Sequence, residues 1–346
     1  MKIAPPKEYA EFNEMAPAAY SDYTNYEIET VSPDGYTINR ILGRGRYSEV
    51  FMGTEKESGN LVVIKVLKPI KEQKIQREVL VLKNLAETGE EENSIIRLKG
   101  VCYDKVTKTH SLIFNHIIHG NSYDILQNCS FRECINLMKR ILRGIEQCHS
   151  RGIMHRDIKP GNLIINGATG ELKIIDFGLA EFYFKKKEYS VRVASKYYKA
   201  PELLCEYVYY DYAIDIWSFG AVLGEAITNR HPFFGSINGT KKIEKKSEDV
   251  LYCITRLLGK KDLKEFITEY KIQPNELIKQ VMADQSIPRE RIKFKNFIKS
   301  PEYMPLLPLL ESCLQYDPRK RPTAKELLNL AIFEGREVER DIDSDN

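Results

Sequence analysis

Apolar and polar positions fall into a regular pattern only from Tyr36 onward. Residues 1–35 are rich in Tyr, Pro, Ala and Glu with weak periodicity, and are expected to form an extended arm, tethered or disordered. The runs YTINRIL and EVFMGT predict two strands flanking the loop GRGRYS, and the short β-branched run LVVIKVL (61–67) predicts a third. At 70–87 the period becomes helical, with Ile75, Val79 and Leu82 at i, i+4 and i+7. The polar stretch ETGEEENS follows as a loop. Two further strands bracket the turn YDKVTKTH, the last of them HSLIF (110–114), and NHIIHGNS (115–122) predicts a short connection. From Ser130 the pattern is mostly helical. Ser130 and Glu133 have capping-box spacing ahead of the apolar face Ile135, Met138, Leu142 and Ile145. More helices are expected at 213–228, 247–258, 262–270 and 307–315 and from 323, before an acidic, frayed tail. No internal repeat is present.

Length and composition narrow the class. Cores stop growing near ~250–300 residues, so a chain of 346 residues is expected to divide into two lobes. Hydrophobic residues make up 42% and charged residues 29%, enough apolar content for a sizeable core. The net charge of +3 is close to balance, which argues against a whole-molecule nucleic-acid binder. Seven cysteines, an odd number with no CxxC pair, argue against a disulfide framework or a zinc ribbon. Reduced thiols in the cytoplasm or nucleus are expected. The opening residues MKIAPPKEYAEF lack the apolar stretch of a signal peptide, and no apolar run has the ~18 residues a membrane helix needs, so a soluble protein is expected.

Candidate chemistry lies in five stretches. Gly43-Arg44-Gly45-Arg46-Tyr47-Ser48 sits between two strands, where glycines let backbone N–H groups approach phosphate oxygens. An ordinary hairpin would look similar. A dinucleotide-binding loop is disfavoured, because that loop must open a helix and this one opens the strand EVF. Lys65 stands in the apolar strand, 22 residues past Gly43, where burial requires a partner. Glu78 fits better than Glu72 or Glu87, because it lies among core-facing positions of the next helix. His155-Arg156-Asp157-Ile158-Lys159-Pro160-Gly161-Asn162 matches HRDxxxxN at every fixed position. Asp176-Phe177-Gly178 follows Asn162 by fourteen residues, and Ala200-Pro201-Glu202 follows that. By the resemblance of these stretches to protein kinases, Glu202 is expected to pair with Arg321 in DPRKRPT, and Asp215 to support the backbone of the loop 155–162.

In this order and spacing the five stretches resemble those of protein kinases, over about residues 36–333. The resemblance implies an α+β, bilobal protein kinase fold: a packed arm (1–35), a small β-rich N-lobe with one main helix (36–114), a hinge (115–122), a larger helical C-lobe (123–335) and an acidic tail (336–346). It implies transfer of the ATP γ-phosphoryl group to a protein hydroxyl. Lys65, paired with Glu78, would hold the α and β phosphates, Asp157 would take the hydroxyl proton, and Lys159 would reach the transferred phosphate. Asn162 and Asp176 would hold magnesium. The nucleotide pocket would comprise Leu42, Gly43, Arg44, Gly45, Ser48, Val50, Ile64, Lys65, Phe114, His116, Ile117, Ile164 and Ile175. Lys159 points to Ser/Thr rather than Tyr acceptors.

Longer stretches resemble the casein kinase II catalytic (alpha) family: GRGRYSEVF, LKPIK with IQRE, CHSRGIMHRDIKP, GLAEFY, EYSVRVASKYYKAPELL, and YSDY (20–23) in the arm. This implies constitutive activity, acidic substrates, tolerance of GTP and a regulatory beta subunit docking near YDKVTKTH. Arg192, Lys196 and Lys199 fall where that family contacts acidic groups downstream of the target residue, and a cluster of Arg and Lys there suits carboxylates and phosphates. Lys71, Lys74 and Arg77 add a second basic patch. Tyr20, Asp22 and Tyr23 match an arm that packs on the activation segment and replaces activating phosphorylation. Ser190 and Ser195 are expected to be structural or substrate-facing. Departures are Ser21 for a tryptophan, Phe177 for a tryptophan, Asn115 for a glutamate and Gly161 for a histidine, and Glu72, Gln73 and Gln76 where lysines are usual. Two rivals fare worse. A proline-directed kinase would carry different signatures than VRVASKYYKAPE, and a pseudokinase would lack Lys65, Asp157, Asn162 or Asp176, all of which are present.

Overall fold

A computed structural model describes residues 1–3, 5–69, 71–86, 93–235 and 248–334. The expected acidic tail and most of the ETGEEENS loop therefore lie outside the described residues. The arm contains the short helix α1 (Phe12–Met15). Strands β1 (Tyr36–Arg44), β2 (Ser48–Glu55), β3 (Leu61–Leu67), β4 (Leu98–Asp104) and β5 (Thr109–Asn115) form one antiparallel sheet in the order β1-β2-β3-β5-β4. Period-2 alternation in β3 decides what each face holds. Val62 and Ile64 turn to a small cluster with Cys102 and Ile113, while Val63 and Lys65 turn to the cleft. Helix α2 (Glu72–Ala86) packs its Ile75, Val79 and Leu82 stripe into the main core.

The second lobe begins with α3 (Ser122–Asn128) and α4 (Phe131–His149). The capping box expected for α4 is present: the Ser130 hydroxyl accepts from the Glu133 amide, and the Glu133 carboxylate accepts from the Ser130 amide at 2.8 Å. Two short pairs follow, β6 (Ile153–Met154) with β9 (Glu181–Phe182) and β7 (Leu163–Ile165) with β8 (Leu172–Ile174). After α5 (Pro201–Leu204), helix α6 (Ala213–Ile227) is buried at every position from Ile214 to Ile227, as its apolar sequence requires. Around it lie α7 (Glu248–Leu258), α8 (Lys260–Glu269), α9 (Glu276–Ala283), α10 (Leu307–Cys313), α11 (Ala324–Leu328) and α12 (Ala331–Glu334). The sequence pattern does not reveal α3 or α9. Each is two turns long and starts at an asparagine cap, Asn121 for the Tyr123 amide and Asn275 for the Ile278 amide.

The described residues among the first 35 are held against both lobes. Asn13 is buried and donates to the carbonyls of Gly152 and Tyr183 at 2.7 and 2.9 Å. Gly152 has φ +69°, and a Cβ there would lie 2.4 Å from the Asn13 amide nitrogen, so glycine is required on both counts. Tyr20 donates to Arg151, Tyr23 stacks on Phe182, and the carbonyls of Tyr20 and Tyr26 accept from Asn84 and Gln76 of α2.

Candidate active site

Three charges meet where the sheet faces the second lobe. The Lys65 ammonium lies 2.7 Å from Glu78 Oε1 and 2.7 Å from Asp176 Oδ1. Burial opposes the lysine's charge, but the two carboxylates outweigh it and hold its pKa above the ordinary value. Burial likewise opposes ionisation of Asp176, and Lys65 reverses the balance, leaving that carboxyl below its usual range. Gly178 is needed by close approach: a Cβ there would stand 3.3 Å from Glu78 Oε2 and 3.4 Å from Asp176 Oδ1. Phe177 is buried edge-on against His155.

The loop between β6 and β7 is fixed from beneath. Asp215, fully buried on α6, accepts the amides of His155 and Arg156, both at 2.8 Å, and a bond from His149 at 3.0 Å. Burial opposes its charge, and His149, His155 and these donors still keep its pKa low. Arg156 has a left-handed backbone, φ 66°, which its bonds to Leu179 O and Tyr210 Oη over-determine. Asp157 is thereby presented with a carboxylate that accepts three hydrogen bonds. Its Oδ2 accepts from Lys159 at 2.7 Å and Asn162 at 3.0 Å, and its Oδ1 accepts from the Ser195 amide at 2.8 Å. The Ser195 hydroxyl is 2.6 Å from Lys159 Nζ. The expectation of a structural or substrate-facing Ser195 left open this position beside Asp157, because 38 residues separate the two and neither motif contains both.

Between the lobes lies a cavity of about 290 Å³. Of the residues expected there, Gly43, Arg44, Gly45, Ser48, Val50, Lys65, Phe114, Ile164 and Ile175 line it, with Asn162 and Asp176 at one end. Four do not. Ile64 faces the opposite side of the sheet by strand alternation. Leu42 sits at the irregularity between Ile41 and Gly43 and is exposed. His116 gives its amide to Leu61 O at 3.2 Å, and it and Ile117 lie off the wall. Val63, Leu82, Ile96, Asn115, Gly161 and Phe177 line the cavity instead. Of these, Val63 was available from the phase that puts Lys65 inward. The walls are apolar, the glycine loop closes one side, and the oxygens of Asn162 and Asp176 offer hard donors, so the residues present fit a nucleotide and a divalent metal.

The activation segment, from Asp176 to Glu202, borders a second cavity, of about 570 Å³, lined by Arg46, Arg192 and Lys199 with Val191, Ala194, Leu203, Leu204, Glu206 and Asn275–Leu277. Lys199 donates to Val193 O at 2.7 Å, and burial lowers its pKa against the charge of nearby Asp157. Lys196 is not on this wall; its ammonium lies over the Tyr197 ring. Lys71 and Lys74 are exposed at the start of α2, with Lys74 over Tyr47. Arg77 does not join that patch. It turns inward to Glu181 at 2.7 Å and lies over Tyr23, because a buried carboxylate on β9 competes better than solvent. Behind the segment, Arg321 makes a bidentate pair with Glu202, both contacts 2.7 Å and both side chains fully buried.

A two-lobed fold with this cleft, lysine–glutamate pair and catalytic loop defines a protein kinase. The family model for the protein kinase domain matches residues 36–333. The chain is 43% identical over 330 residues to the probable casein kinase II subunit alpha homolog of Encephalitozoon cuniculi (strain GB-M1), covering 94% of this chain and 97% of the relative. The chain belongs to the protein kinases and, among them, to the casein kinase II alpha family.

Proposed function

We propose that this kinase transfers the γ-phosphoryl group of ATP, with magnesium, to Ser or Thr hydroxyls in acidic protein sequences. The observation that carries the acidic preference is the grouping of Arg46, Arg192 and Lys199 around one cavity, with Lys199 within the electrostatic reach of Asp157. Guanidinium and ammonium groups there would draw in carboxylates and fix the register of an acceptor peptide. Glu206 and Glu276 on the same wall limit the preference. Asp157 is the proposed base, and Lys159 neutralises charge on the transferred group. Lys65, held by Glu78, positions the phosphates. Asn162 and Asp176 would hold magnesium, which supplies charge neutralisation at the phosphates when bound. The relative is named as a subunit, so a regulatory beta partner is part of the proposal; GTP use and a cytoplasmic and nuclear location are carried into it by the family resemblance alone.

The test is radiolabelled ATP with three peptide sets: Glu or Asp at the third position after Ser, basic residues there, and Pro at the next position. The acidic set is expected to give the highest kcat/KM, and Arg192→Ala should erase that advantage. Equal use of acidic and basic peptides would sink the acidic preference, and Pro dependence would favour the proline-directed rival.

A further inference from the structure

Helix α4 carries a charged face outside the catalytic machinery. Its Leu137, Met138, Ile141, Leu142 and Ile145 are buried. Asn136, Lys139, Arg140 and Arg143 fall at i, i+3, i+4 and i+7 on the other side. With the turn at Thr169 and Gly170 they line a surface cleft of about 290 Å³. Among the described residues, neither the Asn136 nor the Arg140 side chain has a hydrogen-bond or ion-pair partner. Arg143 is already engaged, and Lys139 donates to the carbonyl of Phe333 at 2.5 Å. The acid beyond the turn, Glu171, faces Lys173 at 3.7 Å. Lys139, Arg140 and Arg143 place three positive charges around the cleft, which favours an occupant rich in carboxylates.

The course of the chain identifies that occupant. Helices α11 and α12 pack on α4, and the described residues end at Glu334, one position after the carbonyl that Lys139 holds. Residues 335–346, GREVERDIDSDN, carry Glu337, Glu339, Asp341, Asp343 and Asp345 against Arg336 and Arg340. Such a segment spans up to ~40 Å when extended, whereas the row from Asn136 to Arg143 is only ~10 Å long on a helix. Reach is therefore not limiting. We propose that the chain's own acidic segment, residues 337–345, docks in the α4 cleft on Arg140 and its neighbours.

A dye on Asn346→Cys reports this through fluorescence anisotropy, since the seven native thiols are buried. At low salt the anisotropy is expected to be high and independent of protein concentration. Salt of about 0.5 M should lower it. Arg140→Glu and Asn136→Glu, at two surface positions, should each lower it too, and cleavage within 337–345 by an Asp-directed protease should quicken about fivefold. Phosphotransfer should not change in either variant. Equal anisotropy in the parent and both variants overturns the proposal. So does a signal that rises with protein concentration, which would place the segment on a second copy. A signal that stays low until a separate acidic protein is removed from the cleft overturns it as well.

Discussion

Asp157, the proposed base, shows how much of a residue's setting comes from its neighbours. Its carboxylate accepts three bonds, from Lys159, Asn162 and the Ser195 amide, so its direction is fixed before any substrate arrives. Asp157→Asn keeps the shape and loses the base. Turnover is expected to fall about a thousandfold while the thermal midpoint stays close to that of the parent, and unchanged turnover would remove Asp157 from the mechanism. Asp211 titrates in an accessible range. Burial pushes Asp211 up to about 6, and Glu202 adds to this, while the Ala213 amide, Arg321 and His149 offset it only in part. Its folded pKa lies above the unfolded value of about 3.9. The stability it contributes is therefore complete below about pH 4 and is lost as pH rises through about 6. Asp211→Asn does not titrate and keeps an oxygen for the Ala213 amide. Measured against the parent, this variant should gain about 2–3 kcal/mol between pH 4 and 6 and then level off. A flat difference across that window would show that Asp211 is not raised.

At the scale of elements, the arm and α2 act together. Helix α2 carries Glu78, and its Gln76 and Asn84 donate to arm carbonyls. Tyr23 of the arm stacks on Phe182 of β9 and lies under Arg77. These contacts set α2 against the activation segment. Deleting residues 1–30 is expected to lower kcat about ten- to a hundredfold, since a small displacement of Glu78 spoils the geometry around Lys65. Full activity in the truncated protein would show that the arm does not set the active state. The sequence displayed the arm's resemblance at Tyr20, Asp22 and Tyr23 but not its anchor. Asn13 lies in a stretch without periodicity, and its partners, Gly152 and Tyr183, stand far along the chain.

At the scale of the molecule, one buried ion pair ties the activation segment to the end of the helical lobe. Arg321 reaches Glu202 across 119 residues and also donates to Ala213, Gln315 and Tyr316 carbonyls. Arg321→Ala leaves the Glu202 charge unpaired in a dry interior, a change that costs about 3–5 kcal/mol. Chemical denaturation should show that loss, and a loss below about 1 kcal/mol would mean that water replaces the pair. Lysine is not expected to rescue, because it cannot make the two-pronged contact.

Local order determined much of this protein. Alternation and helical period placed the five sheet strands and the major helices to within a few residues, because those patterns are local consequences of burying one face. Motif spacing assembled Lys65, Glu78, Asp157, Asn162 and Asp176, since loops and strands of set length bring them to one cleft. Three-dimensional packing decided the rest. The phase of β3 turned Val63, not Ile64, toward the cavity. A buried Glu181 drew Arg77 away from the surface patch, and the activation segment set Ser195 on the Asp157 carboxylate. Each of these outcomes depends on which partner wins a side chain in space, and partners distant in sequence leave no periodic trace.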